Sequence, residues 1–244
     1  DSIAAFFHVG MIPTGSEDPF ALRRQATAVV RIVMDGNKRL DLSPVIDHAR
    51  AGVREQGFKG VPDAEAQGKR RMTEFLFERV RHYARTLHDL RDDVLDAVLR
   101  SVSTGTIDLI DLLLKMKALQ AVTARPEFDP LIVGFKRASR IVEKEQWDHK
   151  AVDPSLFKDP AEGELHRQVG SSRQDFNEQM AKGCYDKALE ALVRLKPSID
   201  TFFNGVMVNA EDAALRNNRL SLLKEVDDLF KSFADFSRIV VQGG

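Results

Sequence analysis

Apolar positions recur every three or four residues along almost the whole chain, and no stretch of four or more residues alternates convincingly in twos. The chain therefore reads as a succession of amphipathic helices without strands. Leu22, Ala26, Val29, Val30 and Val33 form a first stripe, stopped by Asp35-Gly36, and Val45, Ile46, Ala49 and Val53 form a second, which runs to Gly57. Residues 57–64 are a Gly- and Pro-containing loop. A long helix follows, with Met72, Phe75, Leu76, Val80 and Tyr83 in register. A shorter one carries Val94, Leu95, Ala97, Val98 and Val102, and another spans 108–122. Beyond Pro126, helices are expected over 129–149, 159–182, 184–195, 197–208 and 212–239. β-Branched runs such as Val29 to Val33 lie inside helical windows, and no fixed-period repeat signals a solenoid. The expected fold is all-α.

Proline sharpens the boundaries, because its missing N–H costs nothing at a helix start and breaks the ladder further in. Asp18-Pro19, Ser43-Pro44, Asp129-Pro130, Asp153-Pro154 and Asp159-Pro160 each pair a capping side chain with proline and read as helix starts.

The 244 residues suffice for one large domain or two small ones, and with 43% hydrophobic residues a sizeable core can form. Lys and Arg number 36 against 37 Asp and Glu, a net charge of −1, so a polyanion would have to be held by a local patch. The single cysteine, Cys184, cannot form an internal disulfide; it is expected to be a small buried residue and fits a reducing compartment. No run approaches the ~20 apolar residues of a membrane span. The chain opens at Asp1 in an apolar segment already in progress, and is expected to be part of a longer, soluble, cytoplasmic protein.

Several chemistries lack their residues. No G-x-x-x-x-G-K-[ST] or strand-borne G-x-G-x-x-G loop is present to cradle a phosphate. The histidines, His8, His48, His82, His88, His149 and His166, contain no H-E-x-x-H and no i, i+4 pair, so no metal site is expected. His88-Asp89 alone reads as a polar helix end, since a hydrolase of the HD class needs further His and Asp ligands. The fragment itself is expected to be non-catalytic.

Two clusters point toward a polyanion. Behind Pro130, Leu131, Phe135, Ala138 and Val142 would face a core. Arg137, Arg140, Lys144 and Trp147, at i, i+3, i+7 and i+10, form a second stripe with Lys136 on its shoulder. Cations engage phosphates and a planar group can stack an unpaired base, although Glu143, Glu145 and Asp148 lie close by, as on any solvated helix, and Trp147 also reads as a packing residue at the helix end. The second cluster is Arg216-Asn217-Asn218-Arg219. Its two arginines share a face and its amides can both donate to and accept from base edges, or else serve a helix start with local capping bonds. Lys69-Arg70-Arg71 and Arg23-Arg24 read as solvated or paired with carboxylates.

Residues 5–24 (AFFHVGMIPTGSEDPFALRR), 132–141 (IVGFKRASRI), 152–162 (VDPSLFKDPAE) and 199–240 resemble the C-terminal part of the beta subunit of the bacterial, two-subunit type of glycyl-tRNA synthetase, over essentially the whole chain and in the same order. The resemblance implies two helical subdomains, the C-terminal one a DALR-type anticodon-binding bundle. It implies the end of an HD-like domain over 1–60, a helical connector over 61–125 and the anticodon-binding domain over 126–244. It further implies glycine tRNA and the alpha subunit as partners, with two alpha and two beta chains. Catalysis of glycine–tRNA ligation, with ATP and Mg, would lie in the alpha subunit, leaving no cofactor and no metal here. The two clusters and the resemblance converge on the same expected tRNA-binding residues: Lys136, Arg137 and Arg140 toward stem phosphates, Lys144 and Trp147 on the same stripe, and Arg216, Asn218 and Arg219 closer to the bases. Where this family usually has Ala-Asn-Lys-Arg, the chain has Gly134-Phe135-Lys136-Arg137, which keeps the basic pair without the Asn. The competing expectation, from a different class, is a helical module that binds protein and touches RNA little; a degenerate HD hydrolase is a third.

Overall fold

The computed structural model describes residues 1–14, 17–18, 20–102 and 105–241, leaving aside the side chain of Glu65. Among these residues the fold is all-α, its only extended pairing being an isolated bridge between Asp41 and Asp108. The chain forms two compact units, one of residues 1–95 and 102–114, the other of 96–101 and 115–244.

The first unit contains α1 (Ser2–His8), α2 (Leu22–Asp35), α3 (Leu42–Glu55) and α4 (Ala64–His88). Leu22, Ala26, Val30 and Val33 are buried where α2 lies along α4, and α1 packs on α3 and α4, with the Phe7 ring 5.1 Å from Phe75. Val29 and Val45, expected in the core, are exposed: each sits about 100° round the helix from the neighbour, Val30 or Ile46, that takes the core position.

The helix starts differ from expectation by a few residues, for local reasons. Pro19 lies outside the described residues, and α2 begins at Leu22. Asp18 nevertheless caps it, its two carboxylate oxygens accepting from the N–H groups of Leu22 (2.7 Å) and Arg23 (3.0 Å) across Ala21, which is left-handed at φ 55°. The cap of α3 is Asp41 rather than Ser43. Its carboxylate accepts from the N–H of Ile107 (2.8 Å) and of Ser43 (2.9 Å), and these bonds hold its pKa below the ordinary value. Pro44 is thus the third helical residue, still among the first four whose N–H has no intrahelical partner. His88-Asp89 is the end of α4, with Asp89 left-handed at φ 50°, as the sequence indicated.

Two further helices, α5 (Asp92–Ser101) and α6 (Leu109–Thr123), contribute residues to both units. The second unit is built on α7 (Phe128–Lys144), α8 (Pro160–Ala181), α9 (Tyr185–Val193), α10 (Lys196–Gly205) and α11 (Ala213–Lys231). Its core is aromatic: Phe128, Phe135, Phe176, Phe202, Phe230, Phe233 and Phe236 are all fully buried. Phe135 of α7 stacks on Phe230 of α11 at 4.9 Å, and Phe236 meets both edge-on, contacts worth about 0.5–1.5 kcal/mol each beyond area burial. Pro130 is the third residue of α7, behind Glu127, so Asp129 is not its cap. Pro154 starts only a single 3-10 turn, Pro154–Leu156, whereas Pro160 opens α8 behind a complete Asp159/Glu162 capping box.

Two expected helices end five or more residues early. α7 stops at Lys144 instead of 149, and α11 stops at Lys231, to be followed by a 3-10 turn at Phe236–Arg238. In both cases the backbone beyond the stop is held by tertiary hydrogen bonds: the Asp235 N–H donates to the Ala97 carbonyl at 2.9 Å, and the chain after α7 is tied to α11 as described below. Cys184 is half-buried at the N-cap of α9, not a core residue, because the turn at Gly183 (φ 68°) brings it to the surface.

Candidate nucleic-acid interface

The inner face of α7 is as the periodicity indicated. Leu131, Phe135, Ala138 and Val142 are buried, and this anchors the orientation of the opposite face. Arg137, Arg140 and Lys144 all project to solvent and form no ion pair with a described residue, whereas Arg70, Arg167 and Arg194 are paired with carboxylates. Lys69 likewise binds Asp47 and the Ser43 hydroxyl, and the partner of Arg70 is Glu74.

The remaining cationic candidates are engaged within the protein. Lys136 donates to the Ile239 carbonyl at 2.7 Å, tying α7 to the C-terminal segment. Trp147 lies beyond the end of α7, so the expected helical stripe closes at Lys144. Its ring packs at 4.1 Å on His149, and its indole N–H is buried.

The chain from 150 to 153 is tied to α11 by three hydrogen bonds. The Ser221 hydroxyl donates to the Lys150 carbonyl at 2.7 Å. Asn218 grips Asp153 with both ends of its amide: Oδ1 accepts from the Asp153 N–H at 2.7 Å and Nδ2 donates to its carbonyl at 3.0 Å. Asn218 is only 5% exposed, so its amide is committed to its own chain and is not presented to a base.

Arg219, 8% exposed, likewise points inward. Nε donates to Glu162 Oε1 at 2.7 Å and Nη1 to the Met207 carbonyl at 2.8 Å. Glu162, fully buried, also accepts from the N–H groups of Lys158 and Asp159 at 2.8 Å each. Burial pushes its carboxyl toward the neutral form, but Arg219 and the two N–H donors outweigh it and hold the pKa below the usual value. The expectation that Asn218 and Arg219 lie against bases therefore gives way to a positioning role: Asn218 holds the backbone at Asp153, and Arg219 holds Glu162 and the α10–α11 loop at Met207. Arg216, one turn earlier and half-buried, makes a long contact of 3.4 Å to the Ala210 carbonyl and no ion pair with a described residue.

Gly134 and Phe135 stand where a different pair was expected, and both have structural roles. A Cβ on Gly134 would lie 3.0 Å from Ile199 Cγ2, so glycine lets α10 approach α7 closely, and Phe135 is a core residue. The close approach brings in a residue that the periodicity of α7 could not reveal: Phe203 of α10 lies under Arg137, with the guanidinium carbon 4.2 Å from the ring centroid. The available signal was the Phe202-Phe203 pair, since adjacent helical residues cannot both face the core.

Among the described residues no group of three or more His, Cys, Asp or Glu could hold a metal ion, and no helix is long and apolar enough to cross a membrane.

Comparison with known proteins separates the same two regions. Residues 131–236, from the first turn of α7 to the closing 3-10 turn, match the DALR anticodon binding domain, which defines the class: a helical protein carrying such a domain. Residues 1–100 match the glycyl-tRNA synthetase beta subunit family. Relatives extend across the whole chain. The glycine–tRNA ligase beta subunits of Geobacter metallireducens and Acidobacterium capsulatum are each 38% identical over 98% of it, and that of Clostridioides difficile is 36% identical over 98%. The chain is thus similar to glycyl-tRNA synthetase beta subunits along its length, and it spans about a third of the length of these relatives, 33%, 34% and 33% respectively.

Proposed function

We propose that this chain is the tRNA-binding C-terminal region of a glycyl-tRNA synthetase beta subunit, gripping the anticodon arm of glycine tRNA in support of ATP-dependent glycylation by the alpha subunit. In this reading the alpha subunit holds ATP and Mg, the ligase assembles as two alpha and two beta chains in the cytoplasm, and this chain binds RNA without catalysing a step or holding a cofactor. Residues 126–244 form the anticodon-binding part, 1–60 the end of an HD-like domain and 61–125 a connector. The observation that carries the reading is a coincidence: the DALR match begins on the helix whose outer face bears Arg137, Arg140 and Lys144, cations without ion-pair partners among the described residues. Exposed cations along one helix face can engage a phosphate backbone.

Arg140, Lys144 and the loosely held Arg216 are assigned to phosphates. Asn218 and Arg219 act through the backbone they fix, and Lys136 through the C-terminal segment. The test is binding of the chain to a glycine-tRNA anticodon stem-loop over a salt series, beside the same stem-loop with its middle anticodon base changed. A preference of about tenfold, or about 1.4 kcal/mol, for the cognate loop is expected. Equal affinities with steep salt dependence would reduce the function to backbone gripping, and failure to bind either loop would overturn it.

A further inference from the structure

Phe202 and Phe203 are consecutive on α10 and so point about 100° apart. Phe202 is fully buried, whereas Phe203 is half-buried at the edge of the unit, with one face against the Arg137 guanidinium at 4.2 Å. The contact depends on the close approach of α7 and α10 at Gly134, one turn before Arg137, where a Cβ would meet Ile199 at 3.0 Å. Arg137 has no ion-pair partner among the described residues, and the acid one turn before Phe203 on α10, Asp200, is bound to Lys196. Val133, a turn earlier on the same face as Arg137, is exposed. A guanidinium centred 4.2 Å over a phenyl ring is already ordered, and the exposed Arg137 side chain stands beside an apolar shoulder.

We propose that Arg137 is a stacking plate and not a phosphate cation: backed by Phe203, the outer face of its guanidinium takes an unpaired nucleobase. This assignment rests on the RNA-binding reading above and replaces the phosphate role that the sequence suggested for Arg137. An ammonium carries the same charge but has no plane, so Arg137→Lys separates the two roles.

The experiment measures affinity of the full chain for the glycine-tRNA anticodon stem-loop across salt, for wild type, Arg137→Lys, Arg137→Ala and Phe203→Leu. A fully base-paired stem without a loop serves as the control RNA. Loss of one stacked base predicts that Arg137→Lys weakens stem-loop binding about tenfold with an unchanged salt slope. Phe203→Leu should weaken it several-fold in the same way, and neither should affect binding to the paired stem. Removing the loop bases one at a time should find a position at which Arg137→Lys costs nothing more. If Arg137→Lys binds as wild type while Arg137→Ala flattens the slope by about 0.7–0.9, Arg137 contacts a phosphate and the proposal fails, with RNA binding intact. An equal loss on the paired stem would overturn it as well. If wild type binds neither RNA, both this assignment and the reading it rests on are wrong. Arg137 is exposed on a helix that Lys also favours, so its variants keep the fold, and the result does not depend on Phe203→Leu folding.

Discussion

Both ends of the Asn218 amide are spent on the Asp153 backbone, and three donors converge on Glu162. Asn218→Ala leaves a buried N–H and carbonyl without partners and is expected to cost about 1–3 kcal/mol in urea unfolding. It should lower affinity for every anticodon stem-loop alike; a change in preference between loops would restore Asn218 as a base reader. The Glu162–Arg219 pair makes a separate prediction with pH. The folded pKa of Glu162 is depressed, so the unfolded chain takes up its proton first, and the stability this carboxylate contributes is complete above its ordinary value of 4.5 and drains away as pH falls below it. Glu162→Gln, which strands a buried guanidinium, is expected to cost about 3–5 kcal/mol at pH 7. The gap in urea midpoint between wild type and this variant should narrow below pH 4.5; a gap that stays constant to pH 3 would show that the carboxylate is not ionised in the fold.

At the scale of elements, the inner stripe of α7 and the caps of α2 and α8 were legible, because periodicity and capping chemistry act within a few residues of the side chains that show them. The end of α7 was not. Trp147 stands in helical register with Lys144, but Glu145 and Asp148 set acidic charge at a helix C-terminus, and Asn218 and Ser221, about 70 residues away, supply partners for an extended backbone instead. The interior use of Asn218 and Arg219 was hidden for the same reason: an R-N-N-R string looks identical whether its partners are base edges or the carbonyls of a distant loop. Gly134 is the clearest case of a departure from an expected pattern acquiring a physical reason, since only the position of Ile199 explains it. Gly134→Val should therefore push α10 from α7 and cost about 1–3 kcal/mol in thermal or urea unfolding, despite removing a helical glycine. Stability equal to or above wild type would mean that Ile199 yields and that the close approach is not needed.

For the molecule as a whole, a net charge of −1 gives no long-range attraction to RNA, so affinity has to come from a local group of exposed cations. That limits the salt dependence in a measurable way. If Arg140, Lys144 and Arg216 are the phosphate contacts, three counterions are released, and log K should fall against log salt with a slope of roughly −2 to −3. A protein that bound RNA through a broad basic surface would show a much steeper line. Arg140→Ala should remove about 0.7–0.9 from that slope while leaving the discrimination between cognate and altered anticodon loops unchanged, because a phosphate contact carries no sequence information. Arg140 is exposed on the face of α7 opposite the buried Phe135 and Ala138, so the substitution should also leave the unfolding transition where it was. The measurement is the slope itself, from stem-loop titrations between about 50 and 200 mM salt, the range over which such contacts register. An Arg140→Ala slope equal to wild type, with the fold intact, would take this residue off the interface and move the phosphate path away from the outer face of α7.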